Sequence, residues 1–262
     1  MKLAALLLAA ALGAACGGSA PSALETKNLE RMTVIDETLK ADLETLRGAQ
    51  IFFGHQSVGV NILEGLRTLA REAGIALEIG EAGVGENGRP ASKFEDFARR
   101  AEAAPAGSLQ LMLVKLCFAD FTPSTDARPL VEAYERAVQR VRKAQPAVRI
   151  VHVTPPLFRP PAGLKTSIKR LLGKSLWEEQ SNARNAEFRG LLLAAFPGET
   201  FFDLAALEST RPDGTREQCE VGGQQIPMLW PGFASDEGHL NDTGRRVVAK
   251  AFAHTLAEAL RR

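Results

Sequence analysis

One tyrosine, two tryptophans and three cysteines are spread over 262 residues, and the formal net charge is +1. So even and mixed a charge distribution gives no broad electrostatic argument for nucleic acid or for an anionic membrane surface. The cysteines show no paired metal-ligand spacing, and the four histidines form no two-histidine helical motif, so neither a metal nor another cofactor is implied. Internal repeats are missing as well. The one long apolar run, Leu3 to Leu12, is shorter than the roughly 20 residues a membrane-spanning helix needs. A Gly-x-Gly-x-x-Gly spacing occurs at Gly83, Gly85 and Gly88, but no strongly apolar helix is expected to open from it, as a dinucleotide site requires.

That apolar run follows Lys2 and ends in small residues and Cys16, the order of an export signal. The stretch Leu12-Gly13-Ala14-Ala15-Cys16 resembles a bacterial lipoprotein cleavage site, which implies a lipid anchor on Cys16 and an address in the cell envelope. Cleavage near Ala15 with no lipid is the alternative, and would leave a secreted or periplasmic protein. Residues 1–16 are read as the signal, 17–24 as a flexible tether and 25–262 as a single domain. In an exporting compartment Cys117 and Cys219 could form a disulfide, with a buried thiol at Cys117 as the ordinary alternative.

Along the domain, helical spacing runs from Glu25 to Leu46, and a short apolar strand is expected at Ala49 to Phe53, with a helix after it. A second strand is expected at Ile75 to Ile79, followed by a glycine-rich loop from Gly80 to Gly88. Leu109 to Leu116 is apolar enough for a central strand covered on both faces. Helix, strand, helix, strand follow at Arg128–Ala144, Val148–Val153, Leu176–Ala195 and Thr200–Leu204. A Gly/Pro-rich surface loop is expected over Glu208 to Ala234 and a closing helix over Thr243 to Leu260. Strands alternating with helices predict an α/β fold of three layers with a mainly parallel sheet.

Ligands of such sheets sit beyond the carboxyl ends of the strands, and several polar residues fall there. Ser57 follows the first strand, Asn87 the second and Asp120 the central one, while Asp236 and His239 precede the last helix. A serine hydroxyl attacks only when an imidazole takes its proton, and the imidazole needs a carboxylate to fix its tautomer. Asp236 and His239, three apart, can supply both. Taken alone, Ser57 would be read as the cap of the helix that follows it, and it is Asp236 and His239 that turn the reading to a nucleophile. His152 and His254 are read as a core and a solvent-facing histidine.

Asp236-Glu237-Gly238-His239-Leu240-Asn241 with Gly244, and Gly54-His55-Gln56-Ser57 at the other end, resemble the last and first blocks of the SGNH (GDSL-type) hydrolase superfamily. Val153-Thr154-Pro155-Pro156 and Phe202-Asp203-Leu204 are similar to its later strand ends. The resemblance implies a flavodoxin-like sheet and a serine esterase with Ser57 as nucleophile, His239 as base and Asp236 as its partner. Gln56 before the serine is similar to the Gly-Gln-Ser form of carbohydrate O-acetylesterases, so an ester substrate, in particular an O-acylated glycan, is implied. Where the family has a donor asparagine, this chain has Ala119. The oxyanion contacts then fall to the backbone N–H of Ser57 and of Gly83 or Gly85, with Asn87 as a side-chain replacement and Asp120 among the substrate contacts, while His55 either meets substrate or, the favoured reading, bonds the neighbouring loop. Transfer of the acyl group to a glycan, or glycan binding with little catalysis, are the competing functions.

Overall fold

The computed structural model describes residues 23–262 apart from 164, 165, 167, 170, 171 and 173. The expected signal with Cys16, and residues 17–22 of the expected tether, lie outside the described residues. Ala23 and Leu24, also assigned to the tether, instead open the first helix, α1 (Ala23–Thr33). The continuous helix expected from Glu25 to Leu46 is two. Asp36 leaves helical geometry and its carboxylate accepts from the Leu39 N–H, capping α2 (Glu37–Leu46) and forcing the break.

Parallel pairing joins β2 (Gly80–Gly83), β1 (Ile51–His55), β3 (Leu111–Val114) and β4 (Arg149–Ile150) in that order. Past Val151, β5 (His152–Val153) pairs in parallel with β6 (Phe201–Phe202), extending the same succession. The strands are short, and their alternation divides the core in two. Ile51, Phe53, Leu111, Leu113, Val151 and Val153 face one apolar cluster with α2, α3 (Val58–Glu72) and the last helix, α8 (Asp242–Arg261). Met112, Val114 and Ile150 face the other, with α4 (Pro90–Ala103), α5 (Ala127–Ala144) and α6 (Trp177–Ala195). The expected three-layer α/β arrangement with a parallel sheet is therefore present.

The second strand differs from expectation. Ile75–Ile79 pairs with nothing, and the strand is formed by Gly80–Gly83, within the expected loop. Gly80 sits so close to β1 that a Cβ there would lie 2.7 Å from the Ile51 carbonyl, a closeness that selects glycine over a β-branched residue. The glycine-rich loop does open onto a helix, α4, with Pro90 in its first turn and Phe94 and Phe97 buried. Three of its amides are nonetheless committed within the chain. Gly85 N donates to Asp96 Oδ2 at 2.6 Å, Glu86 N to Ser92 Oγ at 2.9 Å and Gly88 N to Asp120 Oδ1 at 2.9 Å. The expected surface loop after Glu208 begins inside a short helix, α7 (Leu204–Ser209), and contains an antiparallel hairpin, β7 (Gln218–Val221) and β8 (Gln224–Pro227). Cys117 and Cys219 are not joined. Cys117 is buried beside the Gln56 carbonyl, whereas Cys219 Sγ lies 3.4 Å from Met228 Sδ. No helix among the described residues is long and apolar enough to cross a membrane.

Candidate active site

Burial of Phe53 in the core carries β1 to the carboxyl edge of the sheet, where the chain must turn sharply into α3. Ser57 makes that turn with φ 54° and ψ −111°, and among the described residues it alone has a positive φ without being glycine. Such a conformation costs on the order of 1–3 kcal/mol and persists only where neighbours hold it. They are present. Gln56 Nε2 donates to the carbonyls of Val84 (3.0 Å) and Gly85 (2.7 Å), tying the turn to the neighbouring loop. Gly59 N donates to the Gln56 carbonyl and Val60 N to that of Ser57. Gly59 is required as well, since a Cβ there would fall 2.4 Å from the His55 Cβ.

The Ser57 side chain makes no capping bond to α3. It meets His239 Nε2 instead, at 2.6 Å. His239 Nδ1 lies 2.8 Å from Asp236 Oδ2 and 3.0 Å from Oδ1. An ionised carboxylate only accepts, so Nδ1 carries the imidazole proton and Nε2 presents a lone pair to the serine O–H. Asp236 Oδ1 also accepts from the backbone N–H of Gly238 and of His239, both at 2.9 Å. Burial pushes the Asp236 carboxyl up, but those two N–H groups and the imidazole outweigh it and hold it below the usual carboxylate range. It is thus an anion at neutral pH.

Several residues that the sequence did not single out hold this loop. Asn61, one turn along α3 from Ser57 and buried, accepts from the Leu240 N–H at 3.1 Å. Ser235 N donates to the His239 carbonyl and Arg159 N to that of Glu237. The Phe118 ring stands edge-on to the His239 imidazole, with centroids 5.4 Å apart, and leaves no room for a side chain at Gly238. Only the i, i+4 spacing of Ser57 and Asn61 was a visible signal for any of these.

The expected oxyanion and substrate residues do not all gather here. His55 turns away from the serine: it is buried under Phe53, and its Nε2 meets Glu81 Oε2 at 2.7 Å while Arg67 holds the other oxygen of Glu81. Burial pushes the His55 imidazole below its ordinary range, against the pull of Glu81. Asp120 is buried and spent, accepting from Lys93 Nζ (2.5 Å), Cys117 N (2.7 Å) and Gly88 N (2.9 Å), so it offers nothing to a substrate. Gly85 has committed its N–H to Asp96 and is glycine because a Cβ would meet Lys93 N at 2.5 Å. Gly83 remains exposed at the end of β2, opposite His55. Asn87 is exposed on the same loop, its Oδ1 accepting from Lys93 Nζ at 2.9 Å. Ala119 is exposed in a single 3-10 turn, Phe118–Asp120.

No family model matches this sequence, and no curated protein does. Among solved structures it is similar to one from Streptococcus pneumoniae described as a platelet activating factor, with 13% identity over 88% of this chain and 98% of that one, at a TM-score of 0.49. The periplasmic domain of a Salmonella ser. Paratyphi A lipopolysaccharide acetyltransferase gives 12% identity, coverage of 87% and 94%, and a TM-score of 0.43. A protein of Desulfitobacterium hafniense DCB-2, described as lipolytic and of the G-D-S-L family, gives 10% identity, coverage of 79% and 99%, and a TM-score of 0.48. At this level of identity the likeness assigns no residue and no reaction.

Proposed function

We propose that this chain is a serine esterase of the SGNH (GDSL-type) superfamily. The observation that carries the reading is the continuous relay from Ser57 Oγ through His239 to Asp236, with bonds of 2.6 and 2.8 Å. Ser57 attacks the ester carbonyl carbon as its hydroxyl proton passes to His239 Nε2, and Asp236 stabilises the imidazolium that forms. Collapse of the tetrahedral intermediate expels the alcohol, which takes the proton from Nε2, and leaves Ser57 acylated. Water then attacks the acyl carbon as it yields a proton to the same nitrogen, and collapse returns that proton to Ser57 and frees the acid. Ser57 N–H, at the head of α3 and without an acceptor among the described residues, is our first donor to the oxyanion.

Short O-acyl esters on carbohydrate are the substrate class we infer, from the Gln56-Ser57 resemblance. An export leader over residues 1–16 with a lipid on Cys16 would keep the enzyme at the envelope, where such glycans lie. An unmodified Cys16 in the mass of the membrane-extracted protein would remove the anchor.

The test of the reaction is hydrolysis of p-nitrophenyl acetate by wild type and by Ser57→Ala. Loss of turnover in a folded variant, by about a thousandfold or more, is expected. Turnover that survives the substitution removes Ser57 from the mechanism. Free acid should be the product even with a glycan acceptor present, whereas acylated acceptor would make the protein a transferase.

A further inference from the structure

The family that the sequence resembles has a donor asparagine where this chain has Ala119, and of the two glycines of the neighbouring loop Gly85 has given its N–H to Asp96. We propose that Asn87 donates its side-chain amide to the oxyanion, and that the buried Lys93–Asp120 pair is the device that aims it. The proposal rests on the serine-esterase reading above.

Three observations converge on it. An ammonium can only donate, so the end of the Asn87 amide that lies 2.9 Å from Lys93 Nζ has to be its oxygen, and the NH2 is the end left to face outward. No group among the described residues accepts from that NH2. Second, Lys93 is wholly buried, a costly place for a cation, and its counter-ion Asp120 is wholly buried with it. Asp120 in turn grips Gly88 N, the residue after Asn87, and Cys117 N, two residues before Ala119. A single ion pair therefore fixes Asn87 at both its side chain and its following amide, and anchors it to the 3-10 turn that bears Ala119. Third, Gln56 Nε2 binds Val84 O and Gly85 O, so the loop that carries Asn87 is fastened to the residue before the nucleophile. A donor fixed before substrate arrives needs no reorganisation when charge develops, which is the condition under which such a donor matters most. In this account Asn87 is a catalytic residue, and Lys93 and Asp120 are positioning residues.

The experiment is steady-state hydrolysis of p-nitrophenyl acetate by wild type, Ser57→Ala, Asn87→Ala and Asn87→Ala combined with Ala119→Asn. Asn87 and Ala119 are both exposed, so the folds should survive, as circular dichroism will check. Asn87→Ala is expected to lower kcat by about 100- to 1000-fold with KM within about threefold of wild type, the loss typical of one oxyanion donor. Restoring an amide at 119 should recover at least tenfold of that kcat. For the positioning pair, Lys93→Met with Asp120→Asn should lower kcat in the wild-type background and have little further effect once Asn87 is alanine, a dependence that mere loss of stability would not produce. If Asn87→Ala keeps a kcat within twofold of wild type while Ser57→Ala is inactive, the proposal is overturned and the esterase reading stands. If Ser57→Ala is as active as wild type, both fall.

Discussion

Ser57 is held in a backbone conformation that serine dislikes, and its hydroxyl is withheld from the helix it begins. A serine kept only to start α3 would cap it; this one spends its oxygen on His239. The two roles predict opposite responses to Ser57→Gly. Glycine accepts φ 54° without strain, so the variant should be inactive yet unfold at a temperature equal to or above that of wild type, with a gain of up to about 1 kcal/mol. A capping serine would instead lose stability or at best break even. Asp236 can be tested separately. It fixes the proton on His239 Nδ1, and Asp236→Asn permits the wrong tautomer, so kcat should fall by about 1,000- to 10,000-fold with little change in thermal stability. Gly238→Ala acts through packing: its Cβ would lie 2.5 Å from the Phe118 ring, and the ring is what flanks His239. Loss of about 1–3 kcal/mol in urea unfolding is expected, together with a lowered kcat.

At the scale of elements, α3 and α8 deserve to be considered as one unit, because Ser57 begins the first and the His239 loop leads into the second. They cross at Gly65, where a Cβ would fall 2.5 Å from the Arg245 carbonyl and 2.9 Å from the Ala249 Cβ. Asn61 bonds across the same interface to Leu240 N. Gly65→Ala should push the helices apart, at a cost of about 1–3 kcal/mol, and reduce kcat although it lies two turns from the serine; unchanged kcat with reduced stability would uncouple the interface from the site. The alternating apolar runs made most of these elements legible in the sequence, since burial on two faces leaves a plain signature in Leu111–Val114 and in the residues of α3. The exceptions have physical causes. β2 is a glycine edge strand chosen for close backbone approach, which no apolar pattern reports, and the break at Asp36 depends on one capping carboxylate. The spacing of Asp236 and His239 made the relay legible, but the uses of Asn61, Phe118 and Lys93 depend on contacts between residues far apart in the chain.

For the molecule as a whole, the titratable side chains of Lys115 and Glu208 are both wholly buried. Burial pushes the Glu208 carboxyl up to about 8, against the Leu157 N–H it accepts and the charge of Lys115, and its Oε1 has no partner. The folded protein therefore holds a proton that the unfolded chain releases above a pKa of about 4.3. Stability from this group is full below that value, declines as pH rises through the window up to about 8, and levels off beyond, by at most about 1.4 kcal/mol per pH unit. Lys115, whose amine is depressed by its own burial, titrates in both wild type and Glu208→Gln and cancels to first order in their difference. The melting temperature of Glu208→Gln should thus gain on that of wild type between pH 5 and 8; parallel curves would contradict the buried acid. The central claim, that Ser57 is the nucleophile of an acyl-enzyme, is tested most directly by peptide mass spectrometry after reaction with a fluorophosphonate probe. A single adduct on the peptide containing Ser57, abolished by His239→Ala, is the predicted result, and a folded wild-type protein that repeatedly shows no adduct at Ser57 would contradict it.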